Sequence, residues 1–299
     1  MRVPDDFLQS VGFVGVKDRK DGRDVFRIGG TGFFVSVASV KYPNEIEFNY
    51  FVTARHNIER ASRTGPIFVR LNTKDGRLAF VDITRQWVFP DSAAVDLAVL
   101  SWGKQEYDYN FRSIPEHSFA HPNYIDNLKI GIGDDLCIVG LFSQIHGVNQ
   151  NLPIVRSGII AAMPVEPFQD DSGERYHAYL VEARSIGGLS GSPVIVVVDP
   201  IRPGARRGAP PLSPHPLYLL LGVVRGHWDV KKTAMNEDFI DNEMEQVNMG
   251  LAIVTPIDEL GILLHNEELT KERKQGERDY EKDKSPKKPI LGSPGQVGS

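Results

Sequence analysis

Apolar residues in this chain gather in short β-branched and aromatic runs, not at helical spacing. Before residue 105 six such runs stand out, at 11–16, 27–37, 47–54, 67–71, 78–89 and 96–101, and Gly, Asn, Asp or Pro clusters break most of them. The pattern then lapses into FRSIPEHSFAHPNYIDN, which reads as a linker by its Pro, His and polar content. Six more runs follow, at 135–142, 153–162, 177–184, 193–198, 217–225 and 247–254. Six strands, a linker and six strands predict an all-β chain of two six-stranded antiparallel β-barrels, at 1–112 and 129–266, joined by a linker at 113–128.

A helix is expected to close the second barrel. Thr255 suits an N-cap, Pro256 the first turn, and Asp258 and Glu259 the positive helix end. Ile257, Leu260 and Leu264 would form its docking face. Residues 267–299 are too charged and too poor in apolar side chains to bury a core, so they are expected to be a solvated helical extension and then a disordered tail. The 200–216 loop, with three arginines and six prolines, is expected to lie at the barrel end away from the site as a surface feature.

Composition changes this picture little. The chain has 299 residues, 41% hydrophobic and 24% charged, with a net charge of −5. That balance supplies no global field for nucleic acid or an anionic membrane. No uninterrupted apolar stretch approaches the roughly 18 residues of a transmembrane helix. The single cysteine, Cys137, sits in the apolar run LCIVGLF and reads as a core residue. A chain that can form no internal disulfide and opens on MRVPDDFLQS, without a leader, is expected in the cytoplasm.

Three segments bear the chemistry: VTARHN around His56, DLAVL opening at Asp96, and GLSGSP around Ser190. A serine hydroxyl needs a neighbouring base, and histidine titrates near neutrality. His56 follows the apolar strand end YFVTA, and Asp96 opens a buried strand, where its carboxylate can hold an imidazole in one tautomer. Gly188 and Gly191 let the backbone fold tightly around Ser190, so that the amides of Gly188 and Ser190 can form an oxyanion hole. GLSGSP is not the α/β-hydrolase elbow, since Ser192 stands where that motif has glycine. GGTG at 29–32 is flanked by strands and is no dinucleotide fingerprint. The other histidines show no metal-ligand spacing, and neither metal nor cofactor is expected.

With these residues in place, the chain resembles trypsin-like serine peptidases of the chymotrypsin fold, and most nearly the bacterial Deg-type and glutamyl-endopeptidase branches. GTGFFVS, VTARHN, DLAVL, GLSGSP and GLAIVTP match the family's recurrent segments in order, over roughly residues 10–265. The resemblance implies His56 as general base, Asp96 as its orienting acid, Ser190 as nucleophile and Gly188 as an oxyanion donor. Two departures stand out. No PDZ-like domain is expected after the barrels, and Leu189 occupies the position where zymogen-activated members carry an aspartate.

The expected activity is serine endopeptidase, with a protein or peptide substrate and an open oligomeric state. A catalytically silent protease-like binding module and an esterase on the same barrels remain as rivals. Arg184, Arg225 and His227 are expected to line the primary pocket and favour an acidic P1 residue. The competing outcome is that Arg184 or Arg225 turns away, leaving a pocket for small or apolar side chains.

Overall fold

In a computed structural model of the chain, residues 2–20, 23–103, 109–142, 145–169, 173–183, 188–199, 215–229 and 248–284 are described. After a short helix α1 (Asp5–Gln9), β1 (Val11–Lys20) and β2 (Arg23–Ala38) form an antiparallel pair whose register slips between Val14 and Gly15. Next come β3 (Glu47–Thr53), α2 (Arg55–Ser62), β4 (Ile67–Asn72), β5 (Leu78–Asp82) and β6 (Ala98–Trp102). The strand order is β5-β4-β1-β2-β3-β6. Beneath this sheet Phe34 packs its ring 4.9 Å from both Phe51 and Trp102. β3 starts exposed and becomes fully buried from Tyr50 onward, so it carries the chain from the surface into the core before α2 begins.

This half is an open sheet, where the strand pattern predicts a closed barrel. Its edges, β5 and β6, share no ladder. The run at 78–89 breaks after Asp82, whose carboxylate accepts the Thr84 N–H at 2.8 Å in a turn that ends the strand. The chain then reaches β6 only through the isolated bridge Val88–Val99.

The segment expected as a linker has structure of its own. β7 (Ile114–Pro115) runs parallel to β2, and α3 (Pro122–Leu128) follows. The second half then holds β8 (Asp135–Gly140), β9 (Ile154–Ala162), a small hairpin of β10 (Phe168–Gln169) and β11 (Arg175–Tyr176), and β12 (Tyr179–Glu182). It continues with β13 (Pro193–Val198), β14 (Leu217–Asp229) and β15 (Asn248–Pro256). Here the predicted barrel forms: β12-β15-β14-β13-β8-β9 close into a ring through the β9–β12 pairing. Leu136, Ile138, Ile160, Val181 and Val194 share its inner face and fill it. Burial pushes the Cys137 thiol up to about 12 and the Tyr179 hydroxyl, also facing the Asp258 carboxylate, up to about 12. No described helix is long and apolar enough to cross a membrane.

α4 (Ile257–Leu264) buries Ile257, Leu260 and Leu264 as the pattern requires, but its N-cap is Pro256, because β15 runs on through Thr255. α5 (Glu267–Lys284) is the expected helical extension, but it is docked where the charge pattern predicts a solvated one. Part of the segment expected to stay solvated is a helix laid across the first sheet. Its docking is polar, which is why no apolar stripe announces it. Leu269 is fully buried, and Arg273, only 8% exposed, donates from Nη1 to the Tyr50 hydroxyl at 2.9 Å and the Leu264 carbonyl at 2.7 Å. Farther along, Glu277 accepts from Ser39, Glu281 from the Tyr42 hydroxyl, and Glu45 from the Tyr280 hydroxyl. Residues 285–299 lie outside the described residues.

Arg273→Ala is expected to lower stability by about 2–4 kcal/mol, since it removes charge-assisted bonds and orphans the buried Tyr50 hydroxyl. An unchanged urea midpoint would show that α5 contributes nothing to the fold. Alkali gives a second test. In the unfolded chain the Cys137 thiol and Tyr179 hydroxyl ionise near their ordinary values of about 8.5–10, while in the fold they keep their protons to higher pH. Between those limits the unfolded state binds fewer protons, so stability falls as pH rises above about 8.5. Cys137→Ala should flatten the first part of that decline in urea titrations across this range.

Candidate active site

Where β3 ends, Ala54 remains extended and offers no side chain to cap α2. Asp96, two residues before β6 and 7% exposed, takes that place. Its Oδ1 accepts the His56 N–H at 3.0 Å, satisfying one of the amides a helix start leaves open. Its Oδ2 lies 2.7 Å from His56 Nδ1. The carboxylate can only accept, so Nδ1 bears a proton, and in the neutral imidazole Nε2 is then bare. His56 thus stands in the first turn of a helix, just past the strand end where the sequence locates it.

Ser190 Oγ lies 2.9 Å from that bare Nε2. The three residues singled out by sequence therefore form one hydrogen-bonded chain, two from the open sheet and one from the closed barrel. The serine hydroxyl has a second acceptor, the Arg225 carbonyl at 2.8 Å.

Several residues that the motifs do not mark hold Ser190 across the two halves. Its carbonyl accepts the Thr31 N–H at 3.0 Å and the Asn57 side-chain amide at 2.9 Å. Asn57 is buried in α2 and packs on Gly30, where a Cβ would overlap its amide. The Thr31 hydroxyl donates to the Gly188 carbonyl at 2.8 Å and accepts the Leu141 N–H at 2.9 Å. The Gly191 N–H donates to the Val224 carbonyl at 2.8 Å. Gly188 and Gly191 adopt φ of 103° and 85°, the left-handed region where a Cβ is strained. A Cβ on Gly191 would also strike the Thr31 carbonyl and the Thr53 hydroxyl. Among the described residues, the amides of Gly188 and Ser190 have no hydrogen-bond acceptor.

The expected pocket residues fare differently. Arg184 lies outside the described residues, as does the side chain of His227, whose backbone belongs to β14. Arg225 lines the cleft beside Ser190, but its guanidinium turns to the first half, where Nη1 donates to the Ala94 carbonyl at 2.6 Å. Its Cζ sits 4.0 Å from the Tyr176 ring centroid. Ser192, the second serine of the motif, is fully buried. Among the described residues, no three His, Cys, Asp or Glu side chains gather as a metal site.

No family model and no curated protein matches the sequence. Among solved structures the chain is similar to the HtrA-type protease AlgW with decapeptide, at 16% identity and a TM-score of 0.49, over 87% of this chain and 64% of that one. It is also similar to Deg5, at 15% identity and a TM-score of 0.46, over 86% of this chain and 88% of that one. A third is the MamO protease domain from Magnetospirillum magneticum in its apo form, at 14% identity and a TM-score of 0.47, over 87% of this chain and 98% of that one. The chain spans less than two thirds of the AlgW structure's length. The chemistry of the site follows from its side chains and not from these likenesses.

Thr31→Val keeps the side chain's shape but leaves the Gly188 carbonyl and the Leu141 amide without their hydroxyl partner. A loss of about 2–4 kcal/mol in urea unfolding is expected, from two orphaned groups at about 1–3 kcal/mol each with partial relaxation. A variant as stable as the parent would show that this hydroxyl does not hold the serine loop.

Proposed function

We propose that the chain is a serine endopeptidase acting through an acyl-enzyme. The observation that carries this reading is the unbroken chain of hydrogen bonds from Asp96 through His56 to Ser190, at 2.7 and 2.9 Å. Ser190 Oγ attacks the scissile carbonyl as its proton passes to His56 Nε2. Asp96 stabilises the imidazolium that forms while remaining ionised. The amides of Gly188 and Ser190 receive the oxyanion, a contribution of about 10²–10³ in rate per donor in one studied enzyme. Collapse of the tetrahedral intermediate breaks the C–N bond, and His56 returns the proton to the departing amine. Water, deprotonated by His56, then releases the acyl group and restores Ser190.

Ser190→Ala should abolish covalent labelling by a fluorophosphonate and all peptide hydrolysis, while Ser192→Ala, altering a buried hydroxyl, should retain labelling. Asp96→Asn can still cap α2 through its carbonyl oxygen, but its amide faces Nδ1 and favours the wrong tautomer. A fall in kcat of about 10⁴-fold is expected. Labelling that persists in Ser190→Ala would overturn the nucleophile assignment.

A further inference from the structure

The cleft beside the triad has a volume of about 650 Å³ and is lined by Arg55, Glu59, Arg60 and Arg225 together with His56 and Asp96. Its two carboxylates already have partners. Asp96 gives both oxygens to His56, and Glu59 pairs with Arg55 Nε at 2.7 Å. Arg55 is further held with its guanidinium carbon 5.0 Å from the Phe89 ring centroid. Arg60, exposed in the last turn of α2, has no carboxylate partner among the described residues. The same holds for Arg225.

Arg225 is held in a way suited to binding. Two residues of β14, Val224 and Arg225, face one of β15, since the register shifts between Val224 and Gly226. Such a bulge re-aims a side chain. The guanidinium is then fixed by the Tyr176 ring on one face and the Ala94 carbonyl at one N–H. A guanidinium has five N–H donors in a rigid fork, and a carboxylate can take two of them side by side. A planar cation immobilised before binding loses little entropy when an anion arrives.

We propose that this cleft recognises an acidic side chain on the substrate residue adjoining the one whose carbonyl is attacked, with Arg225 as its main contact and Arg60 as its outer one. The ligand's identity as a peptide rests on the endopeptidase reading; the charge recognition does not. Ser190 Oγ lies 2.8 Å from the Arg225 carbonyl, so an attacked substrate carbonyl sits close to Arg225. The next substrate Cα is only about 3.8 Å from the attacked residue's own. Its side chain reaches the guanidinium, which points to Ala94. This assigns Arg225 to a neighbouring subsite, not to the base of the primary pocket.

The test compares peptides that differ only by Glu or Gln at P2 or P1′, with a fixed P1, in two measurements. For hydrolysis by the wild-type chain, kcat/KM for the Glu peptide at one of these positions should exceed that for Gln by about tenfold at low salt. The ratio should shrink in about 0.5 M salt, where exposed charges are screened. In Arg225→Gln it should fall to within about twofold, and Arg225→Lys should recover part of it. Arg60→Gln should lower it by a smaller factor. A general weakening of the fold would slow both peptides and leave their ratio alone. For binding, the Ser190→Ala protein should hold the fluorescent Glu peptide about tenfold tighter than its Gln twin. Equal affinities there, or a Glu/Gln ratio that survives Arg225→Gln, would overturn the proposal. Tight Glu-dependent binding with no hydrolysis by the wild type would uphold the charge recognition and overturn the endopeptidase reading instead.

Discussion

The 2.9 Å between His56 Nε2 and Ser190 Oγ is set between two separately built sheets, and everything else in the structure has to hold that distance. Neither half can do so alone. Asp96 fixes His56 twice, through the backbone N–H and the ring, so the imidazole is rigid with respect to the open sheet. Ser190 is rigid with respect to the barrel through the Gly191 and Val224 backbone bonds. What joins the two frames at the serine itself is the Ser190 peptide carbonyl, which accepts from Thr31 on β2 and from Asn57 on α2. Each bond is worth only about 1 kcal/mol net. Their value is positional, since they act on the peptide unit of Ser190 itself.

A second tie lies on the far side of the first sheet. α4 packs its apolar face against the barrel, and α5 then crosses to β3 and the turn after β2. Arg273 reaches both the end of α4 and Tyr50 of β3, so one guanidinium bridges the helix and the sheet. Burying such a group demands well-aligned acceptors, because an unpaired charge in the interior is far more costly than an unpaired methyl. That requirement favours one docking angle over a slide along the surface, which an apolar stripe alone would tolerate.

This contrast explains what the sequence makes legible. Strand identity is a local property, written in β-branched runs, and most runs correspond to strands within a few residues. Closure is a property of edges that never meet in sequence. The first sheet stays open because of a turn at Asp82 and a lone bridge at Val88, which the run at 78–89 conceals. His56, Asp96 and Ser190 are legible because each stands in a distinctive segment. Thr31 and Asn57 support Ser190 and its loop through contacts more than a hundred residues away, Tyr176 holds Arg225 from tens of residues away, and no spacing rule reaches that far. The docking of α5 is hidden for a different reason: hydropathy reads apolar burial, and this helix docks largely through hydrogen bonds.

Arg225 shows how one position can serve two purposes that sequence cannot separate. Its bulge withdraws it from the β14–β15 ladder, freeing the carbonyl to face Ser190 while the side chain crosses to Ala94. A hydroxyl has one proton, and Ser190 has two acceptors at nearly equal distance, the Arg225 carbonyl and His56 Nε2. Under the proposed mechanism only the second leads to attack, so the carbonyl competes with the base in the resting site. The competition is unequal once an electrophile is present. In the proposed reaction, attack places negative charge between the Gly188 and Ser190 amides and positive charge on the imidazole, whose partner Asp96 is already in place. A neutral carbonyl gains nothing from either change. The same residue that steadies the resting serine through its backbone therefore offers no resistance to the proposed reaction, while its side chain, held by Ala94 and Tyr176, stands ready for the proposed substrate contact.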